Sequence, residues 1–172
     1  MEAGRNLGTL LSNLGYEVFI SLSYPSVIRG GHNFARLSFS KEKIWCDYKL
    51  LNALIALNQE TIEFHKNELA KDAVVFADSF SNEEASAIGE GAIKLPMTES
   101  SSNLNASPIT RSSVALGATC YLLDLHFGEM QKILEKVFKE KSYKINIELA
   151  DLGYRMMEMK KLRHLKTQIN TD

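Results

Sequence analysis

The segment LLNALIALNQETIEFHKNELAKDAVVFADS, Leu50 to Ser79, carries two apolar runs separated by a polar, helix-prone stretch. The first run, Leu50 to Leu57, is almost continuously apolar, as strands covered on both faces are. Asn58 follows as an N-cap candidate, with a side-chain oxygen suited to the free amides of a helix over Gln59 to Ala70. The second run, Ala73 to Ala77, is a short buried strand ending at Asp78-Ser79. Two largely apolar strands joined through a helix point to parallel pairing, because a crossover of that kind returns the chain to the same end of a sheet.

The flanking sequence extends the alternation. Leu7, Leu10, Leu11 and Leu14 recur at helical spacing before Gly15, a plausible stop. Gly4 and Gly8 lie one turn apart on that helix, which suits close approach to a sheet or reflects two tolerated glycines. Tyr16 to Leu22 reads as a strand, and Phe34 to Ser40 alternates with a period of two. A turn at Lys41 and Glu42 would fold the latter into a hairpin with a short strand, Lys43 to Cys46. Farther on, Ala92 to Leu95 is a short strand stopped by Pro96, and Ser100 to Ser107 is a polar loop. Ser107 and Pro108 start a helix that runs to about Leu125 and is apolar nearly all round, hence buried. Met130, Ile133, Leu134, Val137 and Phe138 form the stripe of another helix after Gly128, and a last helix covers about Ile147 to Lys166. These elements predict an α/β fold: a Rossmann-like open, mostly parallel sheet flanked by helices, with a β-hairpin after the RGGHN loop. Without repeats or a flexible linker, residues 1–172 form a single domain, of which 145–172 are a C-terminal helix and tail.

Composition narrows the function classes. An apolar fraction of 45% and a charged fraction of 24% belong to an ordinary folded globule. The formal charge of −1 gives no electrostatic reason to expect nucleic acid or an acidic membrane as partner. No apolar run approaches the roughly 20 residues that span a bilayer, and no secretory signal is visible. Two cysteines, Cys46 and Cys120, are too few and too far apart for a disulfide framework, so a reducing, cytoplasmic setting is expected. They are also too few for an ordinary iron–sulfur cluster.

Arg29-Gly30-Gly31-His32-Asn33 is the segment richest in chemistry. Successive glycines let the backbone turn its amides towards one point, where an anion can sit. Arg29 adds a planar fork for carboxylate or phosphate, His32 a ring that titrates near neutrality, Asn33 a donor and an acceptor. Pro25 stiffens the approach. The same residues also make an ordinary glycine turn before a strand, and composition alone leaves both readings open. In an open α/β sheet, ligands collect at strand carboxyl ends, which is where the loop from Ser23 to Asn33 lies.

YPSVIRGGHN, Tyr24 to Asn33, resembles the loop found in the γ domain of 2-oxoacid:acceptor oxidoreductases, the group that includes the pyruvate and 2-oxoglutarate ferredoxin oxidoreductases. LIALNQET (Leu54 to Thr61), VVFADS (Val74 to Ser79), LPMTE (Leu95 to Glu99) and SSVALGA (Ser112 to Ala118) are similar to segments of the same domain in the same order. The resemblance covers about Met1 to Phe138. It implies a domain that binds no cofactor itself, with thiamine diphosphate, Mg and iron–sulfur clusters in partner domains or subunits. The implied partners are the thiamine diphosphate-binding α and β subunits, coenzyme A and a 2-oxoacid at the assembled site, and a ferredoxin-like acceptor. Tyr24, Pro25, Ser26, Arg29, Gly30, Gly31, His32 and Asn33 become a substrate- or coenzyme A-facing or interface loop, and no residue of this chain is assigned a bond-making role. Members of the family also carry a strand and a glycine-rich turn of the type GxGGQG ahead of the first helix. The expected first strand and Gly-rich turn are absent before the helix at Met1, which marks the domain as truncated at its N-terminus. Two alternatives accompany this reading: a stand-alone coenzyme A- or nucleotide-binding module, and an inactive structural remnant.

The remaining candidates are weaker. His32, His65, His126 and His164 show no metal-ligand spacing, and the last three read as chance or surface placements. Cys46 and Cys120 read as ordinary partly buried thiols without a local histidine. Asp78-Ser79 is either a ligand-facing loop or a helix cap. Met156, Met157 and Met159 fit core filling or a docking surface, and Lys160, Lys161, Arg163 and Lys166 suit a helix C-terminus.

Overall fold

The computed structural model of the chain describes residues 2–24, 32–79, 92–137 and 140–161. Helix α1 (Glu2–Asn13) leads into β1 (Glu17–Ser23) and β2 (Phe34–Ser40). Strand β3 (Leu51–Ala56), helix α2 (Gln59–His65), β4 (Leu69–Asp78) and β5 (Ala92–Leu95) follow. Helices α3 (Met97–Asn103), α4 (Ser112–Leu122), α5 (Phe127–Val137) and α6 (Glu140–Lys160) complete the described chain. β3, β4 and β5 make a three-stranded parallel sheet in that order, and β1 and β2 an antiparallel pair. The fold is mixed α/β, a parallel sheet flanked by helices, as the alternation predicts.

The hairpin is placed differently. Residues 43–46 form no strand, and β2 pairs with β1 from Glu17↔Ser40 to Ser23↔Phe34. The RGGHN loop is thus enclosed by the hairpin rather than followed by it. Length explains the choice: β1 offers a seven-residue ladder, whereas the run from Lys43 to Cys46 offers four positions. Helix α2 stops at His65 instead of Ala70, and a 3₁₀ turn (Lys66–Glu68) hands the chain to β4, whose Leu69 pairs with Leu51. Pairing with β3 overrides the helix propensity of Leu69 and Ala70.

Helix α3 occupies part of the serine-rich stretch expected to be loop. Tertiary contacts hold it. Met97 is fully buried, and Ser101 Oγ donates to the Ser107 carbonyl at 3.1 Å. Asp78 Oδ1 accepts from the Thr98 amide at 3.0 Å, while Oδ2 accepts from the Thr98 hydroxyl. Asp78 is therefore a helix cap. Pro108 starts a 3₁₀ turn (Pro108–Arg111) before α4, which ends at Leu122. The C-terminal helix begins at Glu140, well before Ile147.

Helix α4 is buried nearly all round, as its composition implies. Leu116 and Cys120 join Leu7, Leu10, Leu11, Met130 and Leu134 in a core beneath the hairpin. Val114, Ala115, Ala118 and Leu122 join Phe76, Leu95, Leu149 and Met157 in a core beneath the parallel sheet. Close contact with α6 makes this possible. A Cβ on Gly117 would lie 1.8 Å from the Ala150 carbonyl oxygen, and one on Gly153 1.9 Å from that of Val114. Gly4 and Gly8 let α1 approach the hairpin, a Cβ on Gly8 meeting the tip of Ile20 at 2.6 Å. No helix among the described residues is long and apolar enough to cross a membrane.

Gly153→Ala pushes a methyl against backbone and is expected to destabilise by about 3 kcal/mol, the upper end of the usual overpacking cost. Gly8→Ala meets a movable side-chain tip and gains helix propensity, so it should stay within about 1 kcal/mol of wild type. Urea unfolding followed by circular dichroism checks both; equal effects would contradict the assigned contacts.

Candidate functional site

Strand alternation divides the hairpin's side chains between two faces. Val18, Leu37 and Phe39 pack beneath it with α1 and α4. Ser21, Arg36 and Ser38 make polar contacts with the segment 41–50 and with the turn after α2. Ser21 Oγ donates to Asp47 at 3.1 Å, and the Tyr48 amide donates to Ser38 Oγ at 3.3 Å. These bonds tie the segment 41–50 to the hairpin without a ladder. It leaves Trp45 77% exposed, with the Lys43 ammonium 4.3 Å from the centre of its ring.

From this hairpin a polar bridge reaches the parallel-sheet unit. Asn58 caps α2 as its sequence predicts, accepting from the Thr61 amide at 3.0 Å. The helix then buries Thr61, Ile62 and His65 on one face. The 3₁₀ turn brings Glu68 back beneath His65, so that Glu68 Oε2 lies 2.6 Å from His65 Nδ1. The same oxygen accepts from Arg36 at 2.7 Å, and Arg36 lies 3.8 Å from Asp47. On its other edge, His65 Nε2 meets His32 Nε2 at 3.2 Å. The His32 ring stacks with Phe34 at 5.6 Å and with Phe64 at 5.1 Å between ring centres.

Electrostatics follow from the contacts. Hydrogen bonding from His65, then from Arg36, holds the Glu68 carboxyl below its ordinary 4.5. Burial, reinforced by the neighbouring His65, lowers His32 below its ordinary 6.5. Burial pushes the Cys120 thiol up to about 12, while Cys46 is exposed on the 41–50 segment. One inert and one distant thiol do not fit the ligand set of an iron–sulfur cluster.

Of the loop residues singled out from sequence, Tyr24, His32 and Asn33 are described. Tyr24 is exposed, its hydroxyl accepting from Arg5 at 3.3 Å, and Asn33 is exposed just ahead of β2. Pro25, Ser26, Arg29, Gly30 and Gly31 lie outside the described residues, as does His164. Sequence reasoning missed His65, Glu68, Arg36 and Asp47. His65 is buried and partnered, contrary to its reading as a surface histidine. Its position three residues after Ile62 was the available signal, since it puts the ring on the buried face of α2. His126 is local, its Nδ1 accepting from the Gly128 amide at 3.2 Å.

Residues 1–156 match the sequence profile of the family described as pyruvate ferredoxin/flavodoxin oxidoreductase. The chain belongs to this family. Its fold is similar to 2-oxoglutarate:ferredoxin oxidoreductase from Magnetococcus marinus, a structure with 2-oxoglutarate, coenzyme A and succinyl-CoA bound (TM-score 0.80, 23% identity, 95% of this chain and 29% of that one). The chain thus spans under a third of that enzyme's length. The γ subunit of a keto/oxoacid ferredoxin oxidoreductase from Geobacter sulfurreducens PCA is similar over 92% of this chain and 90% of its own (TM-score 0.75, 21% identity). Subunit PORC of Thermotoga maritima pyruvate oxidoreductase covers 90% and 87% (TM-score 0.68, 13% identity). No curated protein matches the sequence. The family and γ-type fold inferred from the ordered sequence segments are those found.

The lowered pKa values of His32 and Glu68 make the bridge acid-sensitive. Below its unfolded value, an unfolded histidine or carboxylate binds more protons than its folded counterpart when the folded pKa is depressed. The His32 contribution is complete above 6.5 and is lost as pH falls through its lowered folded value; that of Glu68 is lost in the same way below 4.5. The thermal midpoint should fall in two stages on acidification, and His32→Gln should remove the upper stage. A midpoint independent of pH from 7.5 down to about 5 would contradict the His32 assignment.

Proposed function

We propose that this chain is the γ component of a thiamine diphosphate- and iron–sulfur-dependent 2-oxoacid:acceptor oxidoreductase. The complex decarboxylates a 2-oxoacid oxidatively, forms an acyl-CoA and passes electrons to ferredoxin or a similar acceptor in the cytoplasm. The observation that carries this reading is the family match over residues 1–156, joined to a fold that nearly coincides in extent with a solved γ subunit. Thiamine diphosphate, Mg and the clusters belong to the α and β partners in this proposal, and the chain supplies a wall beside the active site. The loop of residues 24–33 faces coenzyme A or substrate, with Arg29 and the glycine amides offered to phosphate or carboxylate.

Co-expression with the thiamine diphosphate-binding subunits should yield a complex that reduces ferredoxin, with no activity from this chain alone. Failure to associate would overturn the proposal. In the complex, Arg29→Ala should weaken coenzyme A binding by about ten- to a hundredfold in a calorimetric titration, the effect of losing one charge-assisted hydrogen bond. Equally tight, saturable binding by the isolated chain would favour a stand-alone coenzyme A module.

A further inference from the structure

Two histidines 33 residues apart in sequence meet where the hairpin reaches the parallel-sheet unit. Their Nε2 atoms stand 3.2 Å apart, with 5.2 Å between the ring centres. Two imidazole nitrogens on one tetrahedral zinc ion, each bonded at about 2.0–2.1 Å, stand about 3.3 Å apart. The pair thus has the separation of two ligands of a single ion. Without one, the nitrogens share a hydrogen between them; an ion displaces that proton to solvent, whichever ring owns it. Neighbouring side chains fix both rings. Glu68 Oε2 lies 2.6 Å from His65 Nδ1, and its carboxyl, held below its ordinary 4.5, is ionised at neutral pH and accepts from that nitrogen. This is the carboxylate–histidine–metal arrangement, in which an outer carboxylate orients the ring and leaves its far nitrogen to the ion. Arg36 in turn holds Glu68 at 2.7 Å. His65 is buried, and His32 stacks with Phe34 and Phe64, its ring plane 27° and 26° from theirs. The charge of Glu60 acts on His32 and favours a cation there.

We propose that His32 and His65 form a two-histidine site for a divalent transition-metal ion of the zinc type, with Glu68 as the positioning residue behind His65. Imidazole nitrogen selects zinc, copper or nickel over magnesium and calcium, which take oxygen ligands. Among the described residues no group of three or more His, Cys, Asp and Glu side chains is placed to hold an ion, so the remaining positions fall to water. The ion clips the start of β2 to the end of α2 and so joins the two sheet units directly. The site stands on side-chain geometry alone and holds whether or not the chain serves the complex proposed above.

The test is calorimetric titration of the full chain, first stripped with a chelator, with zinc and separately with magnesium. Wild type should bind one zinc ion saturably and no magnesium. Zinc should also raise its thermal midpoint, because an ion held only by the folded state stabilises that state. His32→Gln and His65→Gln should each weaken zinc binding at least tenfold and abolish the rise. Glu68→Gln should weaken it roughly tenfold, the lower end of the usual effect of losing an outer carboxylate. Cys46→Ser and His126→Gln, which remove the exposed thiol and a separate imidazole, should leave it unchanged. No saturable zinc binding by wild type, wild-type affinity in either folded histidine variant, or loss of binding in Cys46→Ser would overturn the proposal. If the histidine variants fail to fold, paramagnetic cobalt(II) added to ¹⁵N-labelled wild type decides. Amide shifts centred on residues 32–36 and 62–68 support the site, and shifts centred on any other part of the chain refute it.

Discussion

The contact between the backbones of α4 and α6 is the constraint on which both cores depend. Helices normally keep 8–10 Å between axes because side chains separate them. Here Gly117 and Gly153 remove those side chains at reciprocal positions, each beneath the other helix's carbonyls. The resulting proximity lets one helix present Leu116 and Cys120 towards the hairpin core and Val114 and Ala118 towards the parallel sheet. A single helix without a solvent face thereby joins two sheets that share no described backbone ladder.

On the opposite side, the link between the sheet units is polar. Arg36 stands between Glu68 and Asp47 with its side chain 15% exposed, and His65 extends the contact to His32. Surface ion pairs contribute little, and here the Glu68 and Asp47 side chains are 36% and 35% exposed, so the contact fixes the geometry of Arg36 more than it adds stability. The bridge begins at His32, just ahead of β2, where the hairpin and the parallel-sheet unit meet.

How much of this was legible varied with the range of the cause. Asn58 as a cap, the strand at Ala92–Leu95 and the buried α4 follow from local pattern. Residues 43–46 and Leu69–Ala70 were misjudged because ladder competition settled them, and such competition depends on distant partners. The same applies to α3, whose serines favour a helix only once Asp78 and the core around Met97 are in place. The loop motif at Arg29 to Asn33 was conspicuous in sequence, yet the partners of His32 were hidden, because nothing local connects residue 32 with residues 65 and 68. Only the end of α2, with His65 in phase with Ile62, carried a trace of it.

Trp45, the chain's single tryptophan, stands in solvent beneath the Lys43 ammonium rather than in either core. An indole already hydrated in the folded state changes its surroundings little when the cores melt, so its emission is a poor witness to unfolding. It is a good witness to anything that settles over the 41–50 segment, where dehydration would shift the emission to shorter wavelength. The molecule carries its own optical probe of that outer surface, separate from the tyrosines at positions 121 and 154, which sense the helical interior.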